Sequence, residues 1–208
     1  NGVFGMSAIT SLTAQNTTGV RAVQNADPAI LADQIDAVFE DIPPMAVKIG
    51  MVSSAALIET IADRLTAHQA RNIVLDPVMV ATSGAKLIDD DAVAALTTRL
   101  FPLATVITPN MPETEALLAQ AMQERTSEDD TESARLLSEG IRTEADMETA
   151  GRTLAKHFGC AVLVKGGHGI KDANDVLVEP DGTAAWFTSP RIDNPNTHGT
   201  GCTLSSAI

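Results

Sequence analysis

Apolar and polar positions alternate between two periods along this chain. Four short runs, Ala46–Gly50, Ile73–Asp76, Ala104–Thr108 and Ala161–Lys165, are rich in β-branched residues and bounded by Pro or Gly, which predicts buried strands. Between them the apolar spacing is helical. Asp27-Pro28 reads as an N-cap followed by Pro at the first helical position, with Leu31, Ile35 and Val38 repeating behind it. Leu57, Ile61 and Leu65 repeat in the same way, as do Val93, Leu96 and Leu100 after Asp89. Strands of nearly continuous apolar character alternating with helices predict an α/β fold with a mainly parallel sheet. Residues 2–14 form a further strand-like run. Asp175–Glu179 and Ala184–Thr188 are expected to pair as a hairpin across Pro180-Asp181-Gly182.

Composition narrows the class of partner. The 208 residues suit one domain with a real core, and an apolar content of 44% with 20% charge is that of a soluble globular protein. The formal charge of −13 argues against nucleic acid or an anionic membrane as main partner, since each requires a basic face. Residues 113–148 hold 11 acids against 3 bases, so the charge is concentrated there. The gap between the third and fourth strands is about one βα unit too long, and residues 119–143 are read as an acidic surface insertion, helical in part. Residues 1–20 carry no charge but are too polar to cross lipid. Two cysteines, Cys160 and Cys202, make neither a disulfide framework nor a zinc pattern, and a reduced cytoplasmic setting is expected. His68 and His157 are expected on helix surfaces, and the four histidines show no metal-ligand spacing.

Chemistry-bearing residues cluster at the predicted strand ends. Lys48-Ile-Gly-Met51, Asp76-Pro-Val78, Thr108-Pro-Asn110-x-x-Glu113 and Lys165-Gly-Gly-His168 each follow a strand directly. In open parallel sheets ligands bind beyond the carboxyl ends of the strands. Pro and Gly alone would merely end a strand; the regular company of Asp, Asn, Glu and Lys is what points to a site. Asn196-Thr-His-Gly199-Thr200-Gly201-Cys202-Thr-Leu has two glycines before a helix start, a pattern that aims backbone N–H groups at an anion. Gly-x-Gly before a helix is common, and Cys202 is equally read as a small packed side chain. No P-loop and no G-x-G-x-x-G after a strand is present.

Taken in order, A-Q-N-T-x-G-V (14–20), K-I-G-M (48–51), L-D-P-V (75–78), T-P-N-x-x-E (108–113), K-G-G-H (165–168) and N-T-H-G-T-G-C-T-L-S (196–205) resemble the ribokinase superfamily. Within it they are most similar to the hydroxymethylpyrimidine/phosphomethylpyrimidine kinases of thiamine biosynthesis. The resemblance implies a ribokinase-like three-layer α/β/α sandwich and a single kinase domain over 1–208, with further chain expected beyond both ends. It implies ATP-dependent phosphorylation of the pyrimidine hydroxymethyl group and then of the monophosphate. Gln15 resembles the amide that reads the aminopyrimidine, and Met51 and Val78 its apolar walls. Gly199, Thr200 and Gly201 match the anion hole, with Cys202 where most of the superfamily has an aspartate base; whether it is a base or a polar neighbour stays open. Lys165, Thr197 and Asn110 are implied on the ATP side, and Asp76 and Glu113 at Mg²⁺. The expected partner is a small pyrimidine, with no nucleic acid and no membrane, and a homodimer through the sheet edge is expected. Two other readings compete: a pyridoxal-type vitamin kinase of the same fold, and a non-catalytic module that kept the pocket. A fusion of this domain to another thiamine enzyme is also compatible with the sequence.

Overall fold

The computed structural model describes residues 2–16, 19–79, 90–124, 131–167, 173–192 and 199–208. In chain order its elements are β1 (Ser11–Asn16), β2 (Gly19–Asn25), α1 (Pro28–Asp41), β3 (Val47–Ile49), α2 (Ala55–Ala67), β4 (Ile73–Leu75) and α3 (Asp90–Ala95). A π-helical turn (Leu96–Leu100), a 3₁₀ turn (Phe101–Leu103) and β5 (Val106–Ile107) follow. Then come α4 (Met111–Glu124), α5 (Thr131–Glu139), α6 (Glu144–Phe158), β6 (Ala161–Val164), β7 (Asp175–Val178), β8 (Ala184–Phe187) and α7 (Thr200–Ser205). Contacts divide the chain into two compact units, Asn1–Thr105 with His198–Ile208, and Val106–Thr197.

In the first unit β3 and β4 run parallel, in register from Val47 opposite Ile73 to Ile49 opposite Leu75. All three residues of β4 are buried, which is why its sequence, Ile-Val-Leu, has no polar alternation. The predicted cap of α1 is present: Asp27 accepts the Ala29 N–H at 2.9 Å, and Pro28 opens the helix. Leu31 and Ile35 of α1 and Leu57, Ile58, Ile61 and Leu65 of α2 are buried, at about 1.5–3 kcal/mol for each fully buried side chain. His68 does not lie free on the α2 surface. It is the half-buried C-cap, 2.7 Å from Asp36 and stacked on Phe39 at 4.6 Å, and this contact is the main reason the Asp36 pKa is lowered. The strand expected within 2–14 forms at 11–16 and pairs antiparallel with β2.

In the second unit β5 and β6 are parallel, and β6, β7 and β8 form an antiparallel meander. The expected hairpin closes as written in its sequence. Gly182 takes φ +87°, the Glu179 N–H reaches the Thr183 carbonyl at 2.9 Å, and Asp181 accepts the Thr183 N–H at 2.8 Å. The α6 helix begins in a reciprocal capping box, Thr143 with Asp146, and ends at Gly159 with φ +70°. Within 119–143, α4 runs on to Glu124, and α5 buries Ser133 and Leu136 while exposing Glu132 and Glu139. Among the described residues no helix is long and apolar enough to cross a membrane.

Candidate functional site

Because β3 and β4 are parallel, their carboxyl ends open on one edge, and the first unit assembles most of its predicted site residues there. The Asp76 N–H donates to the Ile49 carbonyl at 2.9 Å, extending the pairing by one residue before Pro77 stops it. The Asp76 carbonyl then accepts the Val78 N–H at 2.8 Å in a tight turn. This leaves the Asp76 side chain 2% exposed at the strand end. A buried carboxylate requires hydrogen-bond partners. One is the Ser205 hydroxyl of α7, 3.3 Å from Asp76 Oδ2 and itself 1% exposed. The same hydroxyl lies 3.2 Å from the Cys202 carbonyl, so its single proton has two acceptors to choose between.

Ser205 thereby ties the β4 end to the helix that carries the Gly-Thr-Gly-Cys motif. That helix starts at Gly199, whose φ of +81° is a left-handed conformation that a side chain would strain. Gly199 supplies no side-chain cap, and the first-turn N–H groups of Gly201 and Cys202 have no preceding turn to accept them. Gly199, Thr200, Thr203 and Leu204 line an open depression of ≈ 530 Å³ on this helix. Cys202 is exposed, whereas Cys160 is buried and its thiol is pushed up to about 12 by burial. Of the two, only Cys202 is presented for chemistry.

Met51 and Val78 are half-buried beside these strand ends. The Met51 carbonyl accepts the Thr10 hydroxyl at 3.3 Å, and Asn25 Oδ1 accepts both Ser11 and Ser53 at 2.8 Å. The β1–β2 hairpin is therefore rooted on the loop after β3. Gln15 lies exposed on β1, at the register shift after Ala14, opposite Val20.

The second unit gathers three more. Asn110 and Lys165 form a parallel bridge just beyond β5 and β6, and the Lys165 N–H donates to the Pro109 carbonyl at 2.9 Å. Asn110 and Glu113 cap α4 reciprocally: the Asn110 N–H reaches Glu113 Oε2 at 2.8 Å and the Glu113 N–H reaches Asn110 Oδ1 at 3.0 Å. The N-x-x-E motif is thus a capping box, with Glu113 only 2% exposed. Asp175 is raised by burial, against the Gly166 N–H at 2.9 Å and the Lys165 charge. Gly166 is obligatory, since a Cβ there would lie 1.9 Å from the Asn174 carbonyl oxygen.

Thr197, His168 and His198 lie outside the described residues. Among the described residues no group of three or more His, Cys, Asp or Glu side chains is placed to hold a metal. Mg²⁺ is bound through one or two carboxylates plus water and phosphate oxygens, so Asp76 and Glu113 have the right chemistry for it. Nothing local in the sequence marks Ser205, whose partner is so distant in the chain. Nor does the sequence assign a role to Lys48, a half-buried cation on β3.

The family model described as phosphomethylpyrimidine kinase matches residues 1–134 and 126–208. A thiamine biosynthesis bifunctional protein of Geobacter sulfurreducens is 47% identical over 100% of this chain, which spans 38% of that relative. The hydroxymethylpyrimidine/phosphomethylpyrimidine kinase of Salmonella typhimurium is 43% identical over 100% of this chain and 71% of the relative. Among solved structures, phosphomethylpyrimidine kinase from Clostridium difficile 630 aligns at a TM-score of 0.77 with 40% identity, over 99% of this chain and 76% of that one. An ADP complex of Bacillus subtilis pyridoxal kinase also aligns at 0.77, with 31% identity, over 99% and 70%. These neighbours are ribokinase-like kinases, and the α/β fold expected from the strand pattern is theirs.

Proposed function

The chain belongs to the phosphomethylpyrimidine kinase family, and from that premise we propose that it transfers the γ-phosphoryl group of ATP to hydroxymethylpyrimidine and then to the monophosphate. The observation that carries the reading is the β4–α7 junction, where a buried Asp76 is bonded to the helix whose first turn presents backbone donors. In-line transfer needs a positioned acceptor, neutralised phosphates and a donor-rich hole for the group in flight. The N–H groups of Gly199, Thr200 and Gly201 form that hole. In the first transfer the alcohol oxygen bonds to phosphorus as the bridge to ADP breaks, and Cys202 takes the hydroxyl proton as general base; in the second an ionised phosphate oxygen attacks and needs no base. Lys165, with Asn110 and Thr197, holds the ATP phosphates. Asp76 and Glu113 carry Mg²⁺, whose charge offsets that of the phosphates when it is bound. Gln15, Met51 and Val78 receive the pyrimidine.

The β1–β2 hairpin supports a homodimer. Its strands are exposed on both faces, with Leu12 64% and Val23 50% exposed, and a two-stranded sheet is marginal unless something covers it. A monomer in analytical ultracentrifugation contradicts the dimer.

A second reading has its own support. The Bacillus subtilis relative that aligns over 99% of this chain is a pyridoxal kinase. Turnover of hydroxymethylpyrimidine and of pyridoxal, each followed by ADP release, separates the two. The pyrimidine is expected to have the higher kcat/KM, and a preference for pyridoxal overturns the proposal.

A further inference from the structure

Lys48 is a charged residue in a buried neighbourhood that the reading above leaves without a task. It sits on β3 between Val47 and Ile49 and is half-buried. Its Nζ lies 2.7 Å from the point that a Cβ on Gly50 would occupy. The side chain therefore runs along its own strand toward the carboxyl end and fills the space that Gly50 leaves open. Residues two apart on a strand face the same side, so Gly50 gives Lys48 a path to the ligand edge. The parallel register sets Lys48 beside Val74 and Ile49 beside Leu75, and the Asp76 N–H bond to the Ile49 carbonyl continues it. The Lys48 ammonium and the Asp76 carboxylate thus share one face of the same edge.

They are not an ion pair. Among the described residues no carboxylate lies within 4.0 Å of the Lys48 ammonium, and Asp76 Oδ2 is directed to Ser205 instead. A half-buried ammonium without a counter-charge is costly, and a bound anion removes that cost. Two residues further on, the Met51 carbonyl is bonded to Thr10 at the root of the hairpin that bears Gln15. Lys48 accordingly belongs to the acceptor side of the site.

We infer that Lys48 is the counter-cation for the phosphate of the singly phosphorylated acceptor, and so a determinant of the second transfer rather than the first. This rests on the two-step reading above. The first acceptor is a neutral alcohol. The second is a phosphate monoester that must approach both the ATP phosphates and the Asp76 carboxylate, and it needs a positive charge that the first does not. A charge-assisted contact of this kind is worth roughly 10- to 100-fold in kcat/KM.

The test is steady-state kinetics of the full chain with hydroxymethylpyrimidine and its monophosphate as separate acceptors. In Lys48→Met the ratio of kcat/KM for monophosphate over alcohol is expected to fall by roughly 10- to 100-fold. Lys48→Arg should restore most of the ratio. Gly50→Ala keeps the charge but displaces the ammonium, so it should lower the ratio as well; with Lys48→Arg it decides the matter should Lys48→Met fail to fold. An unchanged ratio in Lys48→Met, or in Gly50→Ala if Lys48→Met does not fold, overturns the inference and leaves the two-step reading standing. A wild-type chain that phosphorylates the alcohol but never the monophosphate overturns the two-step reading, and the inference with it.

Discussion

The Ser205 hydroxyl lies 3.3 Å from Asp76 Oδ2, joining two buried residues that stand 129 positions apart in the chain. One is at the carboxyl end of β4 and the other in the last turn of α7, so the contact fixes the Gly-Thr-Gly-Cys helix to the strand edge. Removing the hydroxyl takes a hydrogen bond from a buried carboxylate. Ser205→Ala is expected to cost about 1–3 kcal/mol in urea unfolding and to lower kcat more than it raises KM for ATP. Unchanged stability and unchanged kcat would show that the contact does not hold the helix.

The two cysteines should behave oppositely. Cys202 is exposed, while the Cys160 thiol is buried and held near 12. The native chain is expected to take up one equivalent of iodoacetamide, at Cys202, and a second only on unfolding. Loss of proton-transfer help is worth about 10²–10⁴-fold, so Cys202→Ala should reduce kcat by that amount. A Cys202→Ala enzyme of near-normal rate removes Cys202 from the role of base.

Gly166 is packed against the Asn174 backbone with no room for a methyl group, since a Cβ would lie 1.9 Å from that carbonyl oxygen. The obstacle is backbone and cannot rotate away. Gly166→Ala is expected to destabilise the protein by about 3 kcal/mol or more in chemical denaturation. Gly167, where a Cβ meets nothing within 4 Å, is the matched control and should tolerate alanine far better.

Acid stability should depend on Asp146. Burial raises the pKa of this carboxyl, but the Arg135 guanidinium at 2.5 Å and the N–H groups of Arg142 and Thr143 outweigh burial and hold it at about 2. Its folded pKa is depressed below the ordinary 3.8. The contribution is therefore complete above about pH 4 and is lost as pH falls through about 2. Urea midpoints measured between pH 5 and pH 2 should fall more steeply for wild type than for Asp146→Asn. Parallel curves would show that Asp146 is not the acid-sensitive group.

What could be read from the sequence follows a physical divide. The parallel strands were legible because strands buried on both faces read as continuous apolar runs rich in β-branched residues, as Ile73–Leu75 and Ala161–Val164 do. The Pro180–Gly182 hairpin was legible because its turn requires those residue types. The β2 strand was not, since its seven residues are all exposed and so show no alternation between a buried and an open face. The helix after Asp90 gives way to a π-helical turn at Leu96, a change of winding that 3.6-residue periodicity does not encode. At the site, the strand-end motifs marked which residues matter. Their contacts were less visible: Asn110-x-x-Glu113 also spells a capping box, and the Ser205–Asp76 bond depends on a fold that joins distant segments.

Phosphorylation of hydroxymethylpyrimidine and then of the monophosphate, as proposed for this chain, is checked by a coupled assay of ADP release from the full chain with ATP and Mg²⁺, each acceptor supplied alone. ADP release is expected with both acceptors, stoichiometric with the monophosphate formed in one case and the diphosphate in the other. No acceptor-dependent ADP release from either would contradict it.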